Sequence, residues 1–191
     1  MKITVYGGTN NKSYTKKEQD CSEKLGKYLG SIKAEILTGA CRGFPEFVGR
    51  SAIKHGAKKV VGYSPAKDAQ DHVQNYQFPL DAVTHMEYKK QEGMGQADNF
   101  INRSWDMSKF SDIVVALGGS WGTFTELIFS FWYKKIIILV RGFGGATEAF
   151  YDTWKFFDSR DTNPAVHLGS KIILVDTVDD AIVEIEKLRN T

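Results

Sequence analysis

The sequence predicts an α/β fold of three layers, in which a mostly parallel sheet of about seven strands has helices on both faces. Short apolar runs rich in β-branched residues alternate along the chain with longer segments of helical periodicity, which is typical of parallel βαβ units. Several of these runs end in glycine-bearing turns. The 191 residues, 42% of them hydrophobic, suffice for one core, so we expect a single domain over residues 1–191.

Apolar runs predict the strands, and the periodic segments between them predict the helices. In chain order, strands are expected at residues 2–6, 35–38, 59–63, 82–88, 113–117, 135–140 and 171–175. Helices are expected at about residues 15–29, 45–55, 95–110, after 122, at 147–157 and at 178–189. Pro45 fits the first turn of the second helix, because no intrahelical bond needs a backbone N–H there.

One polar segment, residues 64–81, interrupts this alternation. It contains Pro65 and Pro79 and has little periodicity, so we expect a long ordered excursion over one edge of the sheet. Long loops in compact α/β domains are often lids or binding segments, but irregular packing without a function is an open alternative.

The most informative stretch is the buried strand 113–117 and the glycine-rich turn 118–122 that follows it. The turn leads into a helix, whose first backbone N–H groups and positive dipole end favour a bound anion such as phosphate. The alternative is ordinary turn chemistry with a capping box, in which Thr123 caps the helix and Glu126 reaches back to its amide. On spacing alone, capping is the favoured role of Glu126. The same spacing recurs at residues 15–18 and 177–180.

Three glycine turns, at residues 7–10, 39–45 and 118–123, follow the carboxyl ends of predicted parallel strands. In an open α/β sheet this edge binds ligands, next to the point where the strand order reverses. We therefore expect an anionic small molecule, such as a nucleotide, to bind there. The candidate binding residues are Gly7, Gly8, Gly39, Arg42, Gly43, Gly118, Gly119, Ser120, Gly122 and Thr123. An exposed loop arginine without a function is the alternative for Arg42.

Taken together, these motifs resemble the Lonely Guy family, Rossmann-like nucleotide-binding proteins often labelled possible lysine decarboxylases, and their relatives the molybdenum cofactor carrier proteins. The family pattern is an Arg before an S-D strand, followed by P-G-G-x-G-T-x-x-E. It is matched by Arg103, Met107, Ser111, Asp112, Gly119, Gly122, Thr123 and Glu126. The resemblance covers most of the chain and implies a Rossmann-like nucleotide-binding domain.

The founding branch of this family hydrolyses the N-glycosidic bond of nucleoside 5′-monophosphates. The resemblance therefore implies that Arg103 and Glu126 form a catalytic pair and that Gly119, Gly122 and Thr123 hold the phosphate. A carboxylate can stabilise the positive charge that develops on the ribose, and a nearby helix N-terminus would favour the ionised form of Glu126. For Arg103, the alternative is a surface salt bridge to a neighbouring helix.

Four positions depart from the family pattern. The family's loop proline is Gly118, its second glycine is Ser120, the Lys that commonly follows the Arg is Ser104, and Phe100 replaces a common Met. These departures favour the alternative function, a non-catalytic carrier or sensor of a nucleotide-like or molybdopterin-type phosphate ligand. On either hypothesis a nucleotide monophosphate or pterin phosphate is a possible ligand, and no cofactor is expected to be required.

Composition limits the other functions. The net charge of +2, from 25 basic and 23 acidic side chains, argues against nucleic-acid binding. The N-terminus starts as a strand without the features of a signal peptide, and no apolar run reaches the roughly 20 residues of a membrane span, so we expect a cytoplasmic protein with no membrane partner.

Cysteine, histidine and aromatic residues complete the sequence predictions. Cys21 and Cys41 are expected to be free thiols. The histidines, at positions 55, 72, 85 and 167, lack ligand spacing, so no metal site is expected. The segment 124–133 is rich in aromatic residues and is expected to contribute to the core and to a subunit interface. The resemblance implies a homodimer or a higher homo-oligomer.

Overall fold

The computed structural model describes residues 1–8, 14–76, 80–159 and 170–190, and it contains one parallel sheet of seven strands. In chain order the strands are β1 (Lys2–Gly7), β2 (Glu35–Thr38), β3 (Lys59–Ser64), β4 (His85–Tyr88), β5 (Ile113–Leu117), β6 (Ile136–Val140) and β7 (Lys171–Val175). Their order across the sheet is β4-β3-β2-β1-β5-β6-β7, and every neighbouring pair is parallel. The predicted α/β class and sheet are therefore confirmed.

Helices cover both faces of this sheet. They are α1 (Lys16–Ser31), α2 (Phe44–Lys54), α3 (Ala69–Tyr76), α4 (Gln96–Phe110), α5 (Trp121–Trp132), α6 (Ala146–Asp158) and α7 (Val178–Arg189). One core cluster joins the sheet to α1, α2 and α7, and a second joins it to α4, α5 and α6. Alternate residues of β5 enter the two clusters, which explains why this strand is apolar throughout.

The first turns of α1, α2 and α7 agree with the sequence prediction, because residues close together in the sequence determine them. Thr15 and Thr177 each form a capping box with the acidic residue three positions later. Pro45 lies in the first turn of α2, as expected. No helix in the described ranges is long and apolar enough to cross a bilayer.

The excursion expected at residues 64–81 contains a helix that the sequence did not predict, α3, and a 3-10 turn, Leu80–Ala82. Polar bonds hold the start of α3: the Asp71 carboxylate accepts from the Lys67 amide, and the Asp71 amide donates to the Asp68 carboxylate. Only His72 of this helix is buried. A helix with so little apolar surface has no periodic pattern to detect. Pro79 lies outside the described residues.

The order of the strands reverses next to β1, which lies between β2 and β5. On one side of β1 the next strands are β2, β3 and β4. On the other side they are β5, β6 and β7. The carboxyl ends of these strands therefore open a crevice between the loops that follow β1, β2 and β5.

Close packing of α1 against α2 depends on a glycine. A side chain at Gly26 would contact the carbonyl of Val48 and the Cβ of Ser51, the latter at 2.7 Å. We expect Gly26→Ala to lower the free energy of unfolding by about 2 kcal/mol, because overpacking outweighs the gain in helix propensity. Urea denaturation measures this change. Lys27→Ala, at the adjacent exposed position, is the matched control, and equal stability of the two variants would contradict the prediction.

Candidate ligand-binding site

A cavity of about 130 Å³ opens in the crevice at the carboxyl edge of the sheet. It is lined by Val5, Tyr6, Gly7, Gly39, Cys41, Pro45, Phe100, Arg103, Ser120, Gly122, Thr123 and Glu126. These residues come from β1, the loop after β2, the start of α2, α4 and the start of α5. Seven of the candidate residues named from the sequence line this cavity: Gly7, Gly39, Arg103, Ser120, Gly122, Thr123 and Glu126.

The other candidate residues surround the cavity without lining it. The Gly8 carbonyl accepts from the Tyr14 hydroxyl at 2.9 Å and from the Phe44 amide at 3.3 Å. Gly43 precedes α2 as its N-terminal cap residue, with a φ of 90°. Arg42 is exposed. The structure thus gives Gly8 and Gly43 a role in positioning α2 beside the site.

The glycine turn before α5 depends on two left-handed residues. Gly118 has a φ of 63° and Gly119 a φ of 102°, a region that favours glycine. A proline cannot adopt the conformation of Gly118, because its ring fixes φ near −65°. The turn of this chain therefore excludes the loop proline of the family pattern. The Gly119 carbonyl accepts from the Ala146 amide at 3.0 Å, which ties the turn to the start of α6.

The capping box considered for Thr123 and Glu126 is wrong, because the N-terminal cap of α5 lies three residues before Thr123. Its N-terminal cap residue is Ser120, whose backbone is extended and whose side chain makes no capping hydrogen bond. The Thr123 hydroxyl instead donates to the Gly7 carbonyl at 3.4 Å. The first amides of α5 have no intrahelical carbonyl to bond, so they can donate to an anion at the mouth of the cavity.

Arg103 and Glu126 form a buried ion pair inside the cavity. The Nη2 atom of Arg103 lies 3.0 Å from Oε1 of Glu126, and the two residues are 5% and 6% exposed. Arg103 also donates through Nη1 to the Gly39 carbonyl, and its guanidinium lies 4.5 Å from the ring centroid of Phe100. Arg103 is therefore a fixed part of the site, and the alternative of a surface salt bridge is wrong.

Glu126 is held through one of its two oxygens. Oε1 accepts from Arg103 and, at 3.3 Å, from the Ser104 hydroxyl. Burial raises the pKa of Glu126, and the opposing effects of Arg103 and Ser104 are smaller. The expectation that the helix N-terminus would keep this group ionised therefore omitted the larger effect, which is the removal of the carboxylate from water.

A layer of buried hydroxyls fixes α4 and α5 to β1 below the ion pair. The Tyr6 hydroxyl lies 2.8 Å from the Ser108 hydroxyl and 3.1 Å from that of Ser130. The Ser130 hydroxyl donates to the Glu126 carbonyl at 2.9 Å. Sequence reasoning missed this layer, although Ser104 and Ser108 recur at helical spacing on α4.

Sequence reasoning also missed Cys41 as a lining residue. Burial raises the pKa of its thiol to about 12, so the neutral thiol is the stable form at physiological pH. Across the described part of the chain, no group of three or more His, Cys, Asp or Glu side chains is arranged to hold a metal ion. His167 lies outside the described residues.

The raised pKa of Glu126 predicts a pH-dependent contribution to stability. The protonated carboxyl stabilises the fold below its ordinary value of 4.5, and this contribution is lost as the pH rises through the folded-state pKa. Glu126→Gln resembles the protonated form and does not ionise. We therefore expect the stability of this variant, relative to the unmodified protein, to increase as the pH rises above the ordinary glutamate pKa of 4.5.

Urea denaturation at several pH values measures that difference. Glu92→Gln, at an exposed position, controls for the loss of one carboxylate. A difference between Glu126→Gln and the unmodified protein that stays constant with pH would contradict the assignment.

Solved structures share this fold over nearly the whole chain. The protein TM1055, a structural-genomics target, is 25% identical with a TM-score of 0.75, and the match covers 97% of this chain and 98% of that one. A molybdenum cofactor carrier protein from Chlamydomonas reinhardtii is 23% identical with a TM-score of 0.67, over 100% and 98% of the two chains. The molybdenum cofactor binding protein from Rippkaea orientalis is 20% identical with a TM-score of 0.68, over 98% and 96%. At these last two identities, the similarity shows the fold alone.

No curated protein sequence matches the chain. A family model described as the SLOG cluster4 family matches residues 1–182. This match covers almost the entire chain and agrees with the resemblance to the Lonely Guy family that the motifs indicated. The chain belongs to the SLOG cluster4 family.

Proposed function

We propose that the protein binds a nucleoside 5′-monophosphate and hydrolyses its N-glycosidic bond, which yields the free base and ribose 5-phosphate. One observation carries the proposal: a buried Arg103–Glu126 pair shares its cavity with the N-terminus of α5, which has no side-chain cap. The helix end supplies donors for a phosphate, and the carboxylate lies where the sugar of that ligand would enter.

The proposed reaction uses Glu126 as the base and electrostatic stabiliser. Water adds to C1′ while the C1′–N bond breaks, and the bonding electron pair goes to the base nitrogen. Glu126 accepts a proton from the water, the leaving base takes up a proton from the solvent, and Glu126 then releases its proton to the solvent. Because burial raises the pKa of Glu126, its carboxylate is a stronger base than an exposed one.

Arg103 has a positioning role in this proposal. It holds Oε1 of Glu126, which leaves Oε2 to contact the ligand. A guanidinium is too weak an acid to protonate the leaving base, and Arg103 already donates to the protein. Its charge also favours the ionised form of Glu126 that the reaction needs.

The cavity size limits how much of the ligand it encloses. At about 130 Å³ it is smaller than the roughly 300–1,000 Å³ typical of small-molecule sites. A ribose phosphate is therefore the part that we place inside, and the base extends beyond the cavity.

A second candidate function is a carrier or sensor of a nucleotide-like or molybdopterin-type phosphate ligand. It is favoured by the changed turn, where Gly118 and Ser120 replace family residues, and by Ser104 and Phe100 next to the ion pair. Two proteins of similar fold are named as a carrier and a binding protein of the molybdenum cofactor. This function needs the phosphate site but no turnover.

We also propose that the protein forms a homodimer through the outer surface of α4 and α5. Exposed apolar side chains cluster there: Ile101, Trp105, Ile128 and Trp132. Trp132 is 62% exposed, and Trp105 packs edge-on against Phe129 and Tyr133 of the neighbouring helix. Such a contiguous aromatic surface is typical of protein interfaces.

Replacement of Glu126 separates the two functions. We expect Glu126→Gln to lower the rate of base release from nucleoside monophosphates by about 10² or more, because the uncharged amide neither accepts a proton nor stabilises positive charge. The ligand-induced rise in melting temperature should persist, since the phosphate donors are unchanged. Chromatography of the free base and thermal-shift assays measure these effects.

Glu92→Gln is the control for this experiment and should retain activity. Base release by Glu126→Gln at the unmodified rate would refute the assigned role. Stabilisation by a monophosphate without base release, already in the unmodified protein, would support the carrier function instead.

The proposed dimer predicts an effect of charge on the α4–α5 surface. Trp132→Lys should convert the dimer to a monomer without loss of folding, because the side chain is exposed in the single chain. Sedimentation velocity measures the change, and circular dichroism checks the fold. Val183→Lys, on the opposite helix layer and 49% exposed, is the control and should remain dimeric. A monomeric unmodified protein would contradict the proposal.

A further inference from the structure

A second depression lies on the other side of the glycine turn. We call it the α5–α6 groove; it has a volume of about 510 Å³ and is lined by Gly119, Ser120, Trp121, Phe124, Gly145, Ala146, Ala149 and Thr153. Ser120 lines both this groove and the site cavity, so the two spaces meet at the N-terminus of α5.

The two spaces lie on different sides of α5. Gly122, Thr123 and Glu126 face the site cavity, whereas Trp121 and Phe124 face the groove. Successive residues of a helix are rotated by about 100°, so these two sets lie on largely opposite sides of the first turns. The uncapped amides at the start of the helix therefore lie between the cavity and the groove.

The lining of the groove is uncharged and largely apolar. Trp121 is 82% exposed, the largest exposure among the large hydrophobic side chains of the described residues. Phe124 packs edge-on against Phe150 and forms part of one wall. Small residues of α6, Ala146 and Ala149, leave the space open. A side chain at Gly145 would contact the Gly119 carbonyl, so the start of α6 lies directly against the turn.

We propose that the phosphate bound at the N-terminus of α5 is a diester, with a sugar in the site cavity and a second, uncharged ring-bearing substituent in the α5–α6 groove. This inference rests on the proposed phosphate site and extends its ligand from a nucleoside 5′-monophosphate to a 5′-phosphodiester. A diester retains two oxygens that accept from the helix amides, and its two substituents leave the phosphate in different directions. The ring would stack on Trp121, which is otherwise an apolar side chain with most of its surface in water.

The volumes of the two spaces support this assignment. The site cavity, about 130 Å³, is too small for a whole nucleotide, whereas the groove, about 510 Å³, lies within the range of small-molecule sites. A monophosphate would use only the smaller space. A diester would use both and would keep its charge at the helix end, where the amides favour an anion.

Three synthetic ligands test the inference by isothermal titration calorimetry: ribose 5-phosphate, its methyl ester and its phenyl ester. None carries a glycosidic base, so none is consumed by the proposed reaction. The methyl and phenyl esters have the same charge and differ only in the ring. We expect the phenyl ester to bind at least about fivefold more tightly than the methyl ester, as expected for stacking of a ring on tryptophan.

Two variants locate the ring. Trp121→Ala should remove the difference between the two esters and leave the affinity for ribose 5-phosphate unchanged. Ala149→Leu fills the groove from α6 while Trp121 stays in place, and it should weaken binding of the phenyl ester only. Because both positions are exposed, the variants should fold.

Each contrary result has a distinct meaning. If ribose 5-phosphate binds but neither ester does, the site has no room for a second substituent on the phosphate, and the diester inference is wrong. If the phenyl ester keeps its advantage in both variants, the ring binds elsewhere and the groove assignment is wrong. If ribose 5-phosphate itself does not bind, the proposed phosphate site fails, and the inference fails with it.

Discussion

The buried ion pair between Arg103 and Glu126 is the constraint on which the rest of the site depends. Two charges taken out of water destabilise a fold unless each is bonded on several sides. Here the guanidinium bonds Glu126 and the Gly39 carbonyl and stacks on Phe100. These contacts explain why two positions around the ion pair are glycines. A side chain at Gly39 would collide with the guanidinium, and one at Gly122 would lie 3.1 Å from the ring of Phe100.

The same pair connects the two halves of the sheet. Arg103 projects from α4 and reaches the loop after β2, and Glu126 projects from α5, which follows β5. Since β2 and β5 lie on either side of β1, the pair spans the crevice where the strand order reverses. The hydroxyls of Tyr6, Ser108 and Ser130 hold the helices in position beneath it. The position of the cavity walls therefore depends on two sets of contacts: the Arg103–Glu126 ion pair and the hydrogen bonds among the Tyr6, Ser108 and Ser130 hydroxyls.

The features that were predicted correctly are those decided by neighbours in sequence. The buried strand β5 and the capping boxes at Thr15 and Thr177 depend on residues only a few positions apart. Glu126 has the same spacing from Thr123, but its partner is Arg103, 23 positions earlier in the chain. Sequence spacing alone favoured the wrong role because it contains no information about burial. Helix α3 was missed for a related reason, since polar contacts rather than an apolar stripe hold it.

The four positions that depart from the family pattern lie in two places, the turn before α5 and the contacts of the ion pair. Arg103, Glu126 and Thr123 are retained, whereas Gly118 and Ser120 change the turn that precedes α5. Gly118 has a φ of 63°, which a proline cannot adopt, so the turn of this chain excludes the proline of the family pattern. The turn borders both the site cavity and the α5–α6 groove. The other two departures, Ser104 and Phe100, contact the ion pair itself: the Ser104 hydroxyl donates to Oε1 of Glu126, and the Phe100 ring lies against the Arg103 guanidinium. The departures therefore alter both the turn beside the proposed phosphate site and the contacts of the ion pair, in which Arg103 and Glu126 are hydrogen-bonded to each other.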